Sequence, residues 1–306
     1  WGLFNSGQRD SSGVEGREGA DLHVLPLWYR GIRGSKKMLV AVIDTGIDWN
    51  HPDLKDNLFT NFQESGAAAR DKKDNDHNGF VDDVHGWNFV NNTPNSQDDQ
   101  NHGTHCAGTI GASGNNGIGV AGVNWEVSLL PLKFLDSKGR GKLSDAVNAI
   151  NYARKMEAKI MSNSWSGGGF SSTMYNAISA AEREGILFVA AAGNDSNDND
   201  EEATFPASMP LGNVVAVAAT ANRDHLAGFS NWGAAGVHVA APGVRIASTV
   251  RDGQYAVMSG TSMATPHVAG AAALLWNAHP SWSLSTLKER LIGTSQQGVN
   301  LRRRVA

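Results

Sequence analysis

The chain has 306 residues, of which 41% are hydrophobic and 18% are charged, and its formal net charge is -4. This much apolar material excludes a disordered chain, and the mild acidity argues against nucleic acid as the main partner. The longest apolar runs fall short of the roughly 18 residues of a membrane span, so none is expected. The single cysteine, Cys106, excludes a disulfide within the chain. A lone cysteine is typical of a cytosolic protein, or of a secreted one stabilised by other means.

The N-terminal residues 1–37 are rich in Gly and Ser with mixed charge, which predicts an irregular arm wrapping the surface. Because the first residue is Trp1 rather than Met, we expect either a processed chain or a fragment, with any signal peptide or pro-segment outside this sequence. Six short, continuous apolar runs then predict strands buried on both faces, as in a parallel sheet. They are Met38–Ile43, Val127–Leu132, Ile160–Asn163, Ile186–Ala192, Val214–Ala219 and Val237–Ala240.

Helical patterns lie between several of these runs. Apolar residues recur about every 3.6 positions in Leu143–Met156, where Ser144 is the candidate cap. The same pattern recurs in Ser172–Glu184 before Gly185, and a third helix is predicted from Ser262 to about Trp276. Alternating strands and helices predict an α/β fold of three layers, a doubly wound and mostly parallel sheet with helices on both faces. Without a composition break or repeat, we expect one domain over residues 1–306.

Three segments carry side chains that together could activate a serine. Asp44 ends the first predicted strand, where ligands bind in a parallel sheet, although an Asp before Gly is by itself more often a turn residue. His102 opens the segment HGTHCAG, and Ser262 begins a predicted helix within GTSMATPHVAG. A serine nucleophile is activated by an imidazole that takes the hydroxyl proton and by a carboxylate that orients the imidazole.

These segments resemble the motifs of the subtilisin-like serine proteases, the subtilase family. The matching stretches are VIDTGID at residues 42–48, HPDL at 51–54, AAAGN at 190–194 and the two segments around His102 and Ser262. They occur in the order Asp, His, Ser that the family has. The resemblance covers residues 38–292 and implies a subtilisin-like α/β fold with endopeptidase activity.

The resemblance implies a role for each of four residues. Asp44 would be the acid of the triad, His102 the general base and Ser262 the nucleophile. Asn194 would supply a side-chain amide to the oxyanion hole, with the backbone N–H of Ser262 as second donor; the alternative for Asn194 is a turn residue after Gly. Two further histidines, His105 and His267, compete with His102 as the base, but their motif positions indicate structural roles.

Substrate contacts are also implied by the resemblance. They are Gly139, Arg140, Gly141, Leu143, Ser164, Trp165, Ser166, Ala191, Gly193 and Thr204. Glycines here let an extended peptide approach and pair with the backbone. The family commonly has Leu-Gly-Gly where this chain has WSG at 165–167, so the pocket for the fourth residue before the cleaved bond should differ in shape. Asp195 would favour basic residues just before that bond, or be a solvated loop charge. The Phe205-Pro206 bond resembles a family position that is often cis.

Residues 70–99 are dense in Asp and Asn and have neither helical nor strand periodicity before Val81, which indicates an inserted loop. Its oxygens match the first half of an EF-hand calcium loop: Asp74, Asp76 and Asn78 at relative positions 1, 3 and 5, Gly79 at 6 and the Phe80 carbonyl at 7. His85 replaces the usual bidentate Glu, so Asp82 or Asp83 would complete the shell. Flanking donors are Gln63, Glu64, Asp71, Asp98 and Asp99. We expect calcium rather than a merely solvated loop, because these carboxylates would repel one another without a cation.

A second calcium site is implied by the resemblance alone, so two or more Ca²⁺ sites are expected. Its ligands would be the Asp53 and Asn116 side chains and the carbonyls of Gly114, Ile118 and Val120. Gln8 and Asp21 are alternative ligands from the N-terminal arm. In a chain without disulfides, metal bound to the native state would add the missing stability.

We expect a secreted, calcium-stabilised serine endopeptidase, made as a zymogen and monomeric, with polypeptide substrates and a pro-segment or protein inhibitor as partners. Cys106, which could in isolation be catalytic, is expected to be a buried, inert thiol. A lipase or esterase of the α/β-hydrolase type would need a Gly-x-Ser-x-Gly elbow and the order Ser, Asp, His, and Ser262 has neither. A non-enzymatic calcium-binding or adhesion module is disfavoured because all three triad residues and Asn194 are present.

Overall fold

The computed structural model of the protein describes residues 1–296, 298, 301 and 303–306. The strands are β1 (Gly34–Asp44), β2 (Trp87–Asn88), β3 (Glu126–Lys133), β4 (Ile160–Asn163), β5 (Leu187–Ala191), β6 (Val214–Thr220), β7 (Val239–Pro242), β8 (Ile246–Val250) and β9 (Gln254–Met258). The helices are α1 (Leu25–Tyr29), α2 (His102–Gly111), α3 (Leu143–Lys155), α4 (Ser172–Arg183), α5 (Thr261–Ala278) and α6 (Leu284–Gly293). Three short 3₁₀ turns lie at Lys55–Asn57, Phe62–Glu64 and Gly66–Ala68.

Seven strands form one sheet in the order β2-β3-β1-β4-β5-β6-β7, and every neighbouring pair in it is parallel. β8 and β9 form a separate antiparallel hairpin. Parallel neighbours require crossover connections, and helices supply several of them here. The predicted α/β fold with a doubly wound parallel sheet is therefore confirmed.

Alternate residues of β1 enter two different cores. Val40 and Val42 pack in the core that contains residues of α2, α5 and α6, whereas Ala41 and Ile43 pack in the core that contains residues of α3 and α4. Because both faces of the strand are covered, its sequence is continuously apolar rather than alternating. The sheet is thus the middle of three layers, as predicted.

Several predicted boundaries were wrong. The N-terminal arm is not wholly irregular, because it contains α1 and because β1 begins at Gly34, where the backbone pairs with Glu126. Lys142, not Ser144, is the N-cap residue of α3, so Ser144 already lies in the first turn. In α4 the cap is Ser171, whose side chain accepts a hydrogen bond from the Met174 N–H. The Phe205-Pro206 peptide bond is cis, as expected.

The topology brings distant parts of the chain to one edge of the sheet. β1, β4 and β5 are neighbours, and their carboxyl ends lead into Asp44, Ser164 and residues 191–194. The first turns of α2 and α5 carry His102 and Ser262 to the same edge, where they line one cavity with Ser164 and Asn194. No described helix is long and apolar enough to cross a membrane.

Candidate active site

The imidazole of His102 is held by a buried carboxylate. Its Nδ1 lies 2.8 and 3.0 Å from the two carboxylate oxygens of Asp44, whose side chain is only 1% exposed. A backbone N–H from Thr45 also donates to Asp44 at 2.7 Å. Burial opposes a charge on His102, but the Asp44 carboxylate outweighs it and raises the pKa of His102 well above its usual value. The pair therefore fixes Nδ1 as the protonated nitrogen and leaves Nε2 to act as a base.

Ser262 lies in the first turn of α5, in the same cavity as His102. Its hydroxyl donates to the backbone carbonyl of Ser164 at 3.0 Å. The Ser262 Oγ is thus held at the carboxyl end of β4, and rotation about one side-chain bond would redirect it. The positive end of the α5 dipole favours developing negative charge at this position.

The side chain of Asn194 has a defined orientation. Its Oδ1 accepts hydrogen bonds from the Thr261 N–H at 2.9 Å and the Thr261 hydroxyl at 3.0 Å. A backbone N–H can only donate, so the oxygen of the amide must face Thr261. The Nδ2 donor is therefore the end of the side chain available to a ligand in the cavity that Asn194 lines with Ser262.

The cavity has a volume of about 220 Å³ and contains many of the predicted substrate contacts. It is lined by Thr45, Gln100, His102, Leu135, Gly139, Ser164, Trp165, Ser166, Ala191, Asn194 and Ser262. Trp165 packs edge-on against Phe134, with ring centroids 4.9 Å apart. The indole of Trp165 therefore forms part of the cavity wall, and the expected difference in pocket shape stays a prediction.

Five predicted substrate contacts do not line this cavity: Arg140, Gly141, Leu143, Gly193 and Thr204. The Arg140 side chain is 71% exposed, and Leu143 is also exposed. Gly193 has a φ of +114°, and a Cβ there would clash with the Asn231 side chain, so the turn before Asn194 requires glycine. Thr204 hydrogen-bonds Asn199 and Asn231, which places it in the support of that turn.

The competing groups near the site are buried and engaged elsewhere. His105 contacts the Ile246 carbonyl through Nε2, and His267 donates from Nδ1 to the Met263 carbonyl at 2.8 Å. Burial lowers the pKa of each to about 4, which keeps both neutral. Burial also raises the pKa of the Cys106 thiol, whose sulfur lies 4.0 Å from His102 Nδ1. A fully buried, protonated thiol agrees with the expected inert role.

Within the acidic loop, three carboxylates converge. Oxygens of Glu64, Asp76 and Asp83 lie within 4.8 Å of one another, and Glu64 and Asp83 are fully buried. Burial and the charge of Asp76 raise the pKa of Asp83, although hydrogen bonds from Tyr152, Asn78 and Asn61 oppose this shift. Carboxylate oxygens so placed suit a hard cation such as calcium.

The other predicted ligands of the loop are placed differently. The Asp74 carboxylate accepts the backbone N–H groups of Asn78 and Gly79, and Asp82 accepts that of Lys72. Neither belongs to the group of three carboxylates. The Asn78 amide donates to both Asp76 and Asp83, and the Phe80 ring packs against Tyr152 with centroids 4.7 Å apart.

Two predicted flanking donors bind protein groups outside the acidic loop. Asp98 accepts hydrogen bonds from Thr45 and Thr104, and Asp99 pairs with the buried Lys133 ammonium at 2.7 Å. Both therefore support the segment next to Asp44, and neither belongs to the group of Glu64, Asp76 and Asp83.

The second predicted metal site centres on Asp53, which is fully buried. Its carboxylate accepts the Asn116 amide at 2.6 Å, the Val120 N–H at 2.9 Å and the Tyr255 hydroxyl at 3.1 Å. Burial and Asp53 together raise the pKa of Tyr255 to about 12. Asp53 takes part in no ion pair within the described chain, so a cation would fit the charge of this site. Of the alternative N-terminal ligands, Gln8 bonds Phe4 and Ser6, and Asp21 bonds Asn5 and His23.

Three residues at the candidate sites were not predicted from the sequence or were given only a minor role. Thr261 orients Asn194, and the Gln100 side chain accepts the His102 N–H at 2.8 Å. Glu64 was predicted only as a flanking donor, yet Glu64 and Asp83 are the most buried members of the group of three carboxylates. Thr261 could have been found from its place beside Ser262, but Glu64 had no signal beyond its charge.

Comparisons with known proteins agree with this geometry. Residues 35–305 match the profile of the subtilase family. The chain is 38% identical over 268 residues to subtilisin amylosacchariticus of Bacillus subtilis subsp. amylosacchariticus, covering 87% of this chain and 62% of that protein. It is 37% identical over 275 residues to subtilisin-like protease 1 of Plasmodium falciparum (isolate 3D7), covering 83% and 40%. A thermophilic serine proteinase of Bacillus sp. (strain AK1) is 41% identical over 243 residues, covering 79% and 53%.

The chain thus spans between 40% and 62% of the length of these three relatives. Among solved structures, the crystal structure of a cold adapted subtilisin-like serine proteinase superimposes with a TM-score of 0.70 at 31% identity. That alignment covers 88% of this chain and 87% of the other. The family profile, the relatives and the fold lead to one conclusion: the chain belongs to the subtilase family of serine proteases.

Proposed function

We propose that residues 1–306 are one catalytic domain that hydrolyses peptide bonds in extended polypeptide segments through Asp44, His102 and Ser262. The observation that carries the proposal is the buried Asp44 carboxylate on His102 Nδ1, with Ser262 in the same cavity. The N-terminal arm belongs to this domain, since Asn5 and Trp1 donate hydrogen bonds to the carbonyls of Asn222 and Val244.

In the proposed mechanism, the Ser262 hydroxyl turns from the Ser164 carbonyl toward His102 Nε2, which takes its proton as Oγ attacks the scissile carbonyl. Asp44 holds the Nδ1–H and stabilises the imidazolium that forms. The Asn194 Nδ2 and the Ser262 N–H stabilise the oxyanion. His102 then gives its proton to the leaving amine, and water hydrolyses the acyl-enzyme by the reverse sequence.

The residues that line the cleft suit an extended peptide. Gly139 and residues 164–166 all line the cavity. Main-chain hydrogen bonds to a substrate strand would supply affinity that does not depend on side-chain identity. The substrates would therefore be polypeptides in an unfolded or loop conformation.

The test is labelling by a fluorophosphonate probe together with hydrolysis of a peptide library. Wild-type protein should be labelled, and Ser262→Ala should abolish both labelling and hydrolysis. Cys106→Ala is the matched control, because it removes the neighbouring nucleophilic atom and should keep the label. Labelling that persists in Ser262→Ala would overturn the proposal.

We also propose two calcium sites that stabilise the fold. Glu64, Asp76 and Asp83 would hold one ion. Asp53 and Asn116, with the carbonyls of Gly114, Ile118 and Val120, would hold the other, and the buried charge of Asp53 supports this assignment. Calcium would neutralise buried carboxylates and link segments distant in the chain. Chelation should lower the melting temperature, and an unchanged melting curve in EDTA would contradict the proposal.

Calcium sites of this kind suit the millimolar calcium of an extracellular medium. We therefore infer a secreted enzyme. We also propose that it is monomeric, made as a zymogen and held inactive by a pro-segment or protein inhibitor. Detection of the 32.5 kDa domain in the culture medium rather than in the cell pellet would test the location.

A further inference from the structure

The backbone carbonyl of Ser262 lacks its usual helical partner. In an α-helix each carbonyl accepts the N–H of the residue four positions on. Pro266 occupies that position for Ser262, inside α5, and proline has no N–H. The carbonyl of the nucleophile therefore has no donor at the usual position in the helix.

Two side chains from other elements reach this carbonyl. The Ser164 hydroxyl donates to it at 2.9 Å, and the Cys106 thiol lies 3.5 Å from it. A hydroxyl is a strong donor and a thiol a weak one, so Ser164 supplies most of the replacement bond. Ser164 is 3% exposed, and water therefore does not readily take its place.

Ser164 contacts Ser262 at two points. Its side chain donates to the Ser262 carbonyl, and its own carbonyl accepts the Ser262 hydroxyl at 3.0 Å. These reciprocal bonds join the end of β4 to the first turn of α5 across 98 residues of sequence. They fix the peptide plane that follows Ser262 and hence the direction of its Cα–Cβ bond.

We propose that Ser164 is a positioning residue for the nucleophile. Its hydroxyl replaces the helical hydrogen bond that Pro266 cannot make. This inference rests on the proposed protease function. Since a displacement of about 1 Å at a reacting group can cost on the order of a hundredfold in rate, a loosened Ser262 should slow acylation. Substrate binding, which uses the backbone of residues 164–166, should change little.

Ser164→Ala removes the hydroxyl and keeps the backbone carbonyl. We expect kcat on a peptide anilide to fall roughly tenfold with KM unchanged. The reason is the loss of one buried hydrogen bond that contributes to the transition state but not to substrate binding. Ser164→Thr keeps a hydroxyl and should restore kcat. The matched control is Ser96→Ala, which removes a buried hydroxyl bonded to the His85 carbonyl at 2.6 Å. It should lower the melting temperature without changing kcat.

Pro266→Ala gives a sharper test, because it returns an N–H to the position that should pair with the Ser262 carbonyl. In that background Ser164→Ala should cost only roughly twofold in kcat, because the two donors replace one another. An equal loss in both backgrounds, or no loss in Ser164→Ala alone, would overturn the role of Ser164.

Further outcomes distinguish a failure of this inference from misfolding of the variant and from a failure of the proposed function. If Ser164→Ala does not fold, Ser164→Cys, with its weaker donor, should give a partial loss of kcat, and full activity in it would overturn the role. Wild-type protein that neither hydrolyses peptides nor takes the probe would refute the protease function and this inference together. An active wild type with a fully active Ser164→Ala would refute this inference alone.

Discussion

The carboxylates of the acidic loop make a quantitative prediction about metal removal. The oxygens of Glu64, Asp76 and Asp83 lie within 4.8 Å of one another. At that distance two unit charges repel by about 3.5 kcal/mol when the effective dielectric constant is about 20. Asp83 faces two such neighbours, so the metal-free loop carries a repulsion of several kcal/mol that hydrogen bonds from Asn61 and Asn78 offset only in part.

Calcium at a hundred times its Kd should stabilise the fold by about 2.7 kcal/mol per site, a shift in Tm of roughly 4 °C for a chain of 306 residues. Asp83→Asn removes one ligand charge and should abolish the calcium-dependent shift in Tm that comes from this site. The shift in Tm that comes from the Asp53 site should remain. Scanning calorimetry with and without EDTA measures the shift, and a calcium titration should count one fewer ion in the variant. Asp252→Asn, at a carboxylate 83% exposed, is the matched control and should behave as wild type.

The pH dependence of that shift follows from the raised pKa of Asp83. A carboxyl group with a higher pKa in the folded than in the unfolded state stabilises the fold at low pH, and this contribution is lost as pH rises through the folded value. Metal-free protein should therefore lose stability as pH rises above the usual Asp range, and calcium should remove this loss. An Asp83→Asn variant that retained the full wild-type calcium shift, or the same number of bound ions, would refute the reasoning.

Three further predictions concern the chemistry. Asn194→Ala should lower kcat by about 10²–10³ with KM nearly unchanged, as measured on a peptide anilide, because one oxyanion donor is lost. Because Asp44 raises the pKa of His102, Asp44→Asn should move the acidic limb of the kcat/KM profile to lower pH and lower the rate by about 10⁴; an unmoved limb would argue against the pair. Mild peroxide should inactivate the wild type by oxidising Met263 next to the nucleophile, whereas Met263→Leu should keep its activity under the same treatment.

The sequence was most informative where local pattern and burial agree. Continuous apolar runs such as residues 38–43 predicted strands covered on both faces, because a parallel sheet leaves no polar face to alternate. The Asp44, His102 and Ser262 segments carried enough local signal to predict one site. The ends of elements were less certain, since the cap of α3 lies at Lys142 and depends on where the chain leaves the preceding turn.

Contacts between distant segments could not be predicted from local pattern. Asp98 and Asp99 look like part of the acidic loop by composition, yet Thr104 and Lys133 bind them beside the active site. The bond from Ser164 to Ser262 joins the end of β4 to the helix that contains Pro266, and only the fold reveals that combination. A carboxylate or hydroxyl in a sequence has many potential partners, and tertiary packing selects one.

The late position of α5 in the chain has a consequence for the order of synthesis. This helix begins at residue 261 of 306, and its small apolar residues cover the face of the sheet that begins with β1. At an elongation rate of about 5–20 residues per second, α5 follows β1 by on the order of ten seconds or more. Ser262 therefore reaches His102 only after nearly all of the domain has been made. Chain order alone thus delays the assembly of the nucleophile and base during translation.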